Sequence, residues 1–392
     1  MIGITTTVPL EIPLAAGFQV ADLNNLFITH KTPLMMVEDA ETAGFPRNTC
    51  GWIKGIYSAI KENNIRRVIA VTEGDCSNTK ALMEVLESEG IETIPFAYPL
   101  SRKAPVLEAQ LRQLAETLGT TLEAAEKVKI RLDRLRKKLA EIDRLTWEEN
   151  RVTGTENHLF LVNASDMKGD VAAFEREIDD FLDKARNRTP DEKEIRLAFI
   201  GVPPIFTDLY ESIENLGARV VFNEIQRQFA MLSFAPTLVE QYQIYTYPYS
   251  IAVRLEDIRR EIARRRIDGV LHYVQSFCFR QIEDMVVRKN IELPILTLEG
   301  DQPGALDARS RIRLESFIAM LRARRKKTYK ATNTIMPQTA KHRLPPRPPS
   351  FSARCALPAG HRPARGAFGN LRECRPKAAR RRYPAGDWEN RG

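Results

Sequence analysis

Three cysteines carry the chemistry that is readable in this chain. Cys76 lies in Glu73-Gly74-Asp75-Cys76-Ser77-Asn78, between an apolar strand signal, Val68-Ile69-Ala70-Val71, and a helical stretch. Cys278 follows a second such strand, Gly269–Val274, and Cys50 sits in Pro46-Arg47-Asn48-Thr49-Cys50-Gly51 at the start of a helical pattern, with Asn48 and Thr49 as candidate caps. Open parallel sheets gather ligands beyond the carboxyl ends of their strands. A helix start favours negative charge and is expected to lower a thiol pKa towards thiolate. Three thiolates are soft ligands suited to an iron–sulfur cluster or to zinc, and three protein ligands leave one metal position open to substrate or water. The spacing lacks the CxxC pairs of structural zinc sites. Three separate buried cysteines acting as small hydrophobes would contribute the same residue types.

An internal echo favours a shared site. Ile65-Arg-Arg-Val-Ile-Ala-Val leads to Cys76, a helix and then Ile91-Glu92-Thr93-Ile94-Pro95. Ile267-Asp-Gly-Val-Leu leads to Cys278, a helix and then Ile291-Glu292-Leu293-Pro294-Ile295, with the same 11-residue step from isoleucine to cysteine. Two similar units would then each carry a cysteine at the same structural place.

The elements that must position these residues follow from periodicity. Residues 1–102 alternate short apolar runs with helical patterns: strands at Ile2–Thr7, Phe18–Leu23, Arg67–Thr72 and Ile91–Ala97, and helices at Pro9–Ala16, Trp52–Glu62 and Thr79–Glu89. Strands alternating with helices imply a parallel sheet. From 103 to 190, Leu, Ala and charged residues recur at helical spacing, as in Leu122–Leu139, and predict three or more helices that cover the sheet or form a dimer seam. Residues 191–325 restart the α/β pattern, with strands at Ile195–Gly201, Arg219–Asn223, Gly269–Val274 and Pro294–Leu298, helical stretches at Leu255–Arg265 and Gln281–Lys289, and a closing helix over Arg309–Leu321. The expected fold is therefore α/β, with two Rossmann-like or flavodoxin-like parallel-sheet units and a helical insert. Residues 326–392 lose all periodicity and hold runs such as Arg343-Leu-Pro-Pro-Arg-Pro-Pro349, and read as a disordered basic tail.

Charge supports that division. Of 59 Lys and Arg and 51 Asp and Glu, 19 and 3 respectively lie from Arg322 onward, which leaves residues 1–321 with 40 basic and 48 acidic side chains. The basic balance belongs to the tail, so nucleic-acid binding is not expected of the body. At 43% hydrophobic and 28% charged the composition is that of a soluble globular protein. No apolar run reaches the length of a membrane span, and the opening Met1–Pro9 has no basic leader region, so a cytoplasmic location is expected. The five cysteines, Cys50, Cys76, Cys278, Cys355 and Cys374, are too few and too dispersed for a disulfide framework.

As an ordered set, several motifs resemble the cluster-bearing D-component subunits of the 2-hydroxyacyl-CoA dehydratase and benzoyl-CoA reductase family. They are Gly3-Ile4-Thr5-Thr6-Thr7-Val8-Pro9-Leu10-Glu11, Ala15-Ala16-Gly17, Asp22-Leu23-Asn24-Asn25, Cys50-Gly51-Trp52-Ile53-Lys54-Gly55, Gly74-Asp75-Cys76-Ser77-Asn78, Asp268-Gly269-Val270 with Cys278, and Leu298-Glu299-Gly300-Asp301 with Arg309, Arg311, Glu315 and Phe317. The resemblance covers roughly residues 1–321. It implies a [4Fe–4S] cluster on Cys50, Cys76 and Cys278, and an ATP-hydrolysing activator protein that injects one low-potential electron. It also implies a CoA thioester substrate whose carbonyl becomes a ketyl radical anion and expels the neighbouring hydroxyl. The dehydratases pair two related but different subunits, so a homo- or hetero-dimer is expected here. The Gly-Ile-Thr-Thr-Thr-Val-Pro opening is more similar to stand-alone relatives. Double-cubane relatives need more cysteines than the three of this body, which points to a single cubane.

Other residues suggest weaker roles. Thr5, Thr6 and Thr7 are expected to be ordinary strand residues, Glu11 and Asp75 helix-start dipole partners rather than proton-transfer groups, and His272 a packed histidine. No GxGxxG or phosphate-binding loop is present, which assigns ATP chemistry to a partner. The rival to a dehydratase or reductase component is a non-catalytic low-potential electron carrier or a cluster-maturation factor.

Overall fold

A computed structural model describes residues 1–191 and 195–335, with side chains through Lys327. Among these residues eight strands form two four-stranded sheets in which every pairing is parallel. The first contains β1 (Ile2–Ile4), β2 (Val20–Asp22), β3 (Arg67–Glu73) and β4 (Glu92–Ala97), in the order β2-β1-β3-β4. The second contains β5 (Ile195–Gly201), β6 (Ala218–Asn223), β7 (Gly269–Gln275) and β8 (Ile295–Gly300), in the order β6-β5-β7-β8. The two sheets follow one plan: the chain runs outward to one side, returns to the centre, and runs outward to the other. In each, the strand before a cysteine loop is the third in sequence and lies beside the first, where the winding reverses. That reversal opens the crevice that α/β proteins use for ligands. The echo around Cys76 and Cys278 thus reflects matching positions at two such crevices, and the chain has the expected α/β architecture of two parallel-sheet units.

The central strands are apolar on both faces because helices cover both. In β5, Leu197 and Phe199 enter a core with Leu314, Phe317 and Leu321, while Ala198 and Ile200 enter an opposite core with Leu255, Ile258 and Val287. The stretch expected to hold three or more helices contains Ala104–Thr117, Leu122–Trp147, Gly154–Val162 and Val171–Ala185. Leu132, Leu135, Leu139 and Ile142 of the second pack in one core with Ile2, Ile4, Ile69 and Ile94, so this charged helix covers the first sheet with its apolar stripe.

Some boundaries differ from the periodic pattern. The extended run expected over 18–23 narrows to Val20–Asp22, because Asp22 turns to cap helix Leu23–Ile28, accepting from Asn24 N at 2.9 Å. Thr5, Thr6 and Thr7 follow β1 rather than ending it. The segment 281–289 begins as a 3₁₀ turn, Phe279–Glu283, before helix Asp284–Asn290. The closing helix runs from Ala308 to Ile335, beyond its expected end at 321, and the rest of the basic tail, with Cys355 and Cys374, lies outside the described residues.

Helix Gly51–Glu62 joins the two units. Its neighbour Phe27 is fully buried in the core of the second sheet, and a Cβ at Gly55 would sit 2.3 Å from the Phe27 ring. Gly55→Ala is expected to destabilise the fold by about 1–3 kcal/mol despite alanine's better helix propensity, since a buried ring has nowhere to retreat. Denaturant midpoints of the two proteins measure it; an unchanged or raised midpoint would show that the helix can shift.

Candidate metal centre

Cys50, Cys76 and Cys278 line one cavity of about 140 Å³. Its polar wall includes Thr5, Thr6, Asn24 and Asn25 beyond β1 and β2, and its apolar wall includes Ile28, Ile56, Val202 and Phe229. The cysteines are built alike. Cys50 is itself the N-cap of helix Gly51–Glu62, and neither Asn48 nor Thr49 holds that place. Cys278 is the N-cap of the Phe279–Glu283 turn, and Cys76 precedes helix Thr79–Ser88 by three residues. Each sulfur faces the backbone N–H of the residue two further on: Trp52 for Cys50, Asn78 for Cys76 at 3.4 Å, and Arg280 for Cys278. The turn that presents Cys278 holds Phe277 at φ +63°, in the left-handed region that bulky residues avoid.

Burial reverses the expected thiol acidity. Desolvation pushes Cys50 up to about 11 and raises Cys76 and Cys278 as well, and it outweighs the helix-start N–H groups. Cys76 is raised further by Asp75 and by its nearness to Cys50 and Cys278, since a second thiolate in the same cavity would be repelled by the first. These thiols therefore stay protonated until a cation enters, and metal loading would release their protons. Among the described residues no three His, Cys, Asp or Glu side chains close on a single metal ion.

Packing explains the glycines beside the cysteines. A Cβ at Gly51 would meet the Asp301 carbonyl oxygen at 2.8 Å. The same oxygen accepts from Gln275 Nε2 at 2.7 Å, and Gln275 Oε1 accepts from Tyr273 at 2.8 Å. This network fixes the Cys50 helix start against β7 and the end of β8. In the same segment Lys54 is buried, donating to Glu41 at 2.7 Å and to the Arg47 carbonyl at 3.2 Å. Gly74 combines φ +97° with backbone and side-chain atoms of Pro248 within 3 Å of any Cβ. Arg280, buried with its guanidinium 4.4 Å from the Tyr247 ring centroid, donates to the Tyr247 carbonyl at 3.1 Å and to the Gly74 carbonyl at 3.4 Å. It ties the Cys76 loop to the Cys278 loop.

Several polar residues stand differently from their expected roles. Glu11 is no solvated dipole partner: it is fully buried and accepts from Arg136 at 2.7 Å and from Tyr242 at 2.8 Å. Asp75 is half-buried at the cavity wall, pushed up to about 6 by desolvation with the Arg280 guanidinium opposing. Thr5 and Thr6 line the cavity, and Thr5 Oγ1 accepts from Val71 N at 3.1 Å. His272 is packed as expected, 2.7 Å from Asp284. Arg280, Tyr247 and Gln275 were not singled out in the sequence. Arg280 holds the same second place after its cysteine as Trp52 and Asn78, a regularity that only the shared cavity makes meaningful.

The family of this arrangement is decided by a model match. A family model described as 2-hydroxyglutaryl-CoA dehydratase, D-component, matches residues 5–321. The chain belongs to this D-component family. A search of curated proteins finds no match. The matched span of this D-component relative ends before the basic tail and includes all three cavity cysteines. Among its described residues no helix is long and apolar enough to cross a membrane.

An acidic pair flanks the cavity. Asp22, a lining residue, accepts from Asn24, and its backbone N–H donates to Asp166 Oδ2 at 2.7 Å. Burial, with the Asp22 carboxylate beside it, pushes Asp166 up to about 7. A carboxyl raised in the folded state binds more protons folded than unfolded, so its contribution to stability falls as pH rises from about 4 to about 7. Asp166→Asn, which cannot ionise, is expected to gain stability over the parent steadily across that interval. Parallel thermal melts at pH 4.5 and 8 test it, and a pH-independent difference would contradict the assignment.

Proposed function

We propose that Cys50, Cys76 and Cys278 hold a [4Fe–4S] cluster and that the chain is a dehydratase-type component acting on a CoA thioester. One observation carries the reading: three cysteines from three separate loops line one cavity, each at or just before a helical turn with an N–H two residues on facing its sulfur. The residues fit such a group. All three cysteines line one cavity, and three ligands leave one iron of a four-iron cluster without a protein thiolate. When bound, the cluster supplies a single low-potential electron and a Lewis-acidic iron. Around it, Ile28, Ile56, Val202 and Phe229 exclude water, Thr5, Asn24 and Asn25 offer polar contacts to a substrate head, and Arg280 holds two ligand loops in register.

The reading extends to an ATP-hydrolysing activator. Phe277, just before Cys278, and Phe279, Ile282 and Met285, after it, are all exposed, and this apolar rim next to the cavity suits a partner that must approach closely to deliver an electron. Electron paramagnetic resonance of the anaerobically reduced protein, with and without a panel of 2-hydroxyacyl-CoA thioesters, tests the catalytic assignment. A thioester-dependent change in the cluster signal is expected. A signal indifferent to every thioester would leave a low-potential electron carrier or a maturation factor as the better description.

A further inference from the structure

Two buried hydrogen-bond donors at the cavity have nothing to bond. Trp52 Nε1 and Thr79 Oγ1 are shielded from solvent and lack a partner, and among the described residues they are the two cavity-lining side chains of which this is true. Leaving such a donor unmade carries the desolvation penalty of the group without repayment, so an orphan at a cavity wall signals a missing acceptor. Thr79, 1% exposed at the first position of its helix, has no preceding turn to accept its hydroxyl, the outlet that Thr29, Thr117 and Thr146 use further along their helices, at 2.6, 2.8 and 2.8 Å. Trp52 is held by an edge-to-face contact with Phe27, centroids 5.5 Å apart, which fixes its ring.

Both donors stand beside a cysteine: Trp52 two residues after Cys50, Thr79 three after Cys76. The geometry points to Trp52 and Thr79 as hydrogen-bond donors to the sulfur atoms of the cluster held here, which raise its reduction potential. This rests on the cluster reading above. Donors to cluster sulfur stabilise the more negative, reduced form, and such outer contacts are among the main determinants of potential. Neither residue supplies a metal ligand, so both act by positioning a dipole; Thr79→Val removes the hydroxyl almost isosterically, and Trp52→Phe keeps an aromatic ring while removing the N–H.

The test uses full-length, anaerobically reconstituted protein and the variants Trp52→Phe, Thr79→Val and Thr79→Ser. Iron and sulfide content comes first, then the midpoint potential by spectroscopically monitored redox titration. Trp52→Phe and Thr79→Val are expected to keep the iron content of the parent and shift the potential to more negative values, with Thr79→Ser returned towards the parent. Pulsed resonance in deuterated buffer should show an exchangeable-proton coupling in the parent that weakens in Trp52→Phe. Iron-loaded variants with unchanged potential and coupling would overturn the assignment, and would direct the two donors to a substrate oxygen instead. Loss of iron from a folded variant would also overturn it, by making the residue part of the metal cage. If the parent itself takes up no iron, the cluster reading fails, and this inference with it.

Discussion

Replacing Cys76 with Ala is expected to abolish cluster loading. The same holds for Cys50→Ala and Cys278→Ala. Each sulfur stands alone at its own loop, and no neighbouring thiol among the described residues can substitute for it. Two remaining ligands would leave half the irons of a cubane without a protein thiolate. The fold should survive, because Cys76 and Cys278 are only half-buried and Cys50 is a small side chain at a helix cap. In the apo state the substitutions remove thiols whose burial penalises ionisation, so apo stability should change little. The measurement is iron and sulfide per chain after anaerobic reconstitution, beside the unfolding transition of each apo variant. Loss of iron with an unchanged transition is the expected pair of results. Full iron in any single variant would remove that cysteine from the ligand set.

The activity should depend absolutely on a second protein. The sequence holds no phosphate-cradling loop, and reduction of a thioester needs an electron at a potential that ordinary ferredoxins reach with difficulty. The purified chain is therefore expected to be inactive towards 2-hydroxyacyl-CoA thioesters. Activity should appear with an activator, ATP, magnesium and a strong reductant, and catalytic amounts of activator should suffice if the electron is returned after each turnover. Stoichiometric electron consumption would instead indicate a reductase. The apolar rim beside Cys278 supplies a more local version of the test. Ile282 is 70% exposed, so Ile282→Asp should leave folding and iron content intact. If the activator docks there, the substitution should weaken activation by roughly thirtyfold, as for an interface residue worth about 2 kcal/mol. Full activity of the chain alone in air would contradict the dependence outright.

The architecture was readable from periodicity because strands buried on both faces give compact apolar runs, as Val68–Val71 and Gly269–Val274 do. The matched steps from Ile65 to Cys76 and from Ile267 to Cys278 located both cysteine loops at corresponding strand ends. The reading failed where tertiary burial overrides a local rule. A helix start was expected to make the thiols acidic, but desolvation beyond the strand ends makes them reluctant to ionise. Glu11 has the sequence context of a helix-start carboxylate, yet its partner Arg136 is 125 residues away. Arg280 could not be recognised either, since its value lies in reaching Gly74 across 206 residues. Glycine spacing in Cys50-Gly51-Trp52-Ile53-Lys54-Gly55 was visible as a pattern. Its reasons, the Asp301 carbonyl and the Phe27 ring, belong to segments that meet only in the fold.

The three-cysteine cavity is expected to hold a four-iron cluster, which elemental analysis under strict anaerobiosis measures. Protein prepared and reconstituted without oxygen should contain about four irons and four sulfides per chain, show the absorption of a cubane, and lose both on exposure to air. A chain that is folded yet retains no iron or sulfide after reconstitution, or that holds a single zinc on the same cysteines, would contradict the account.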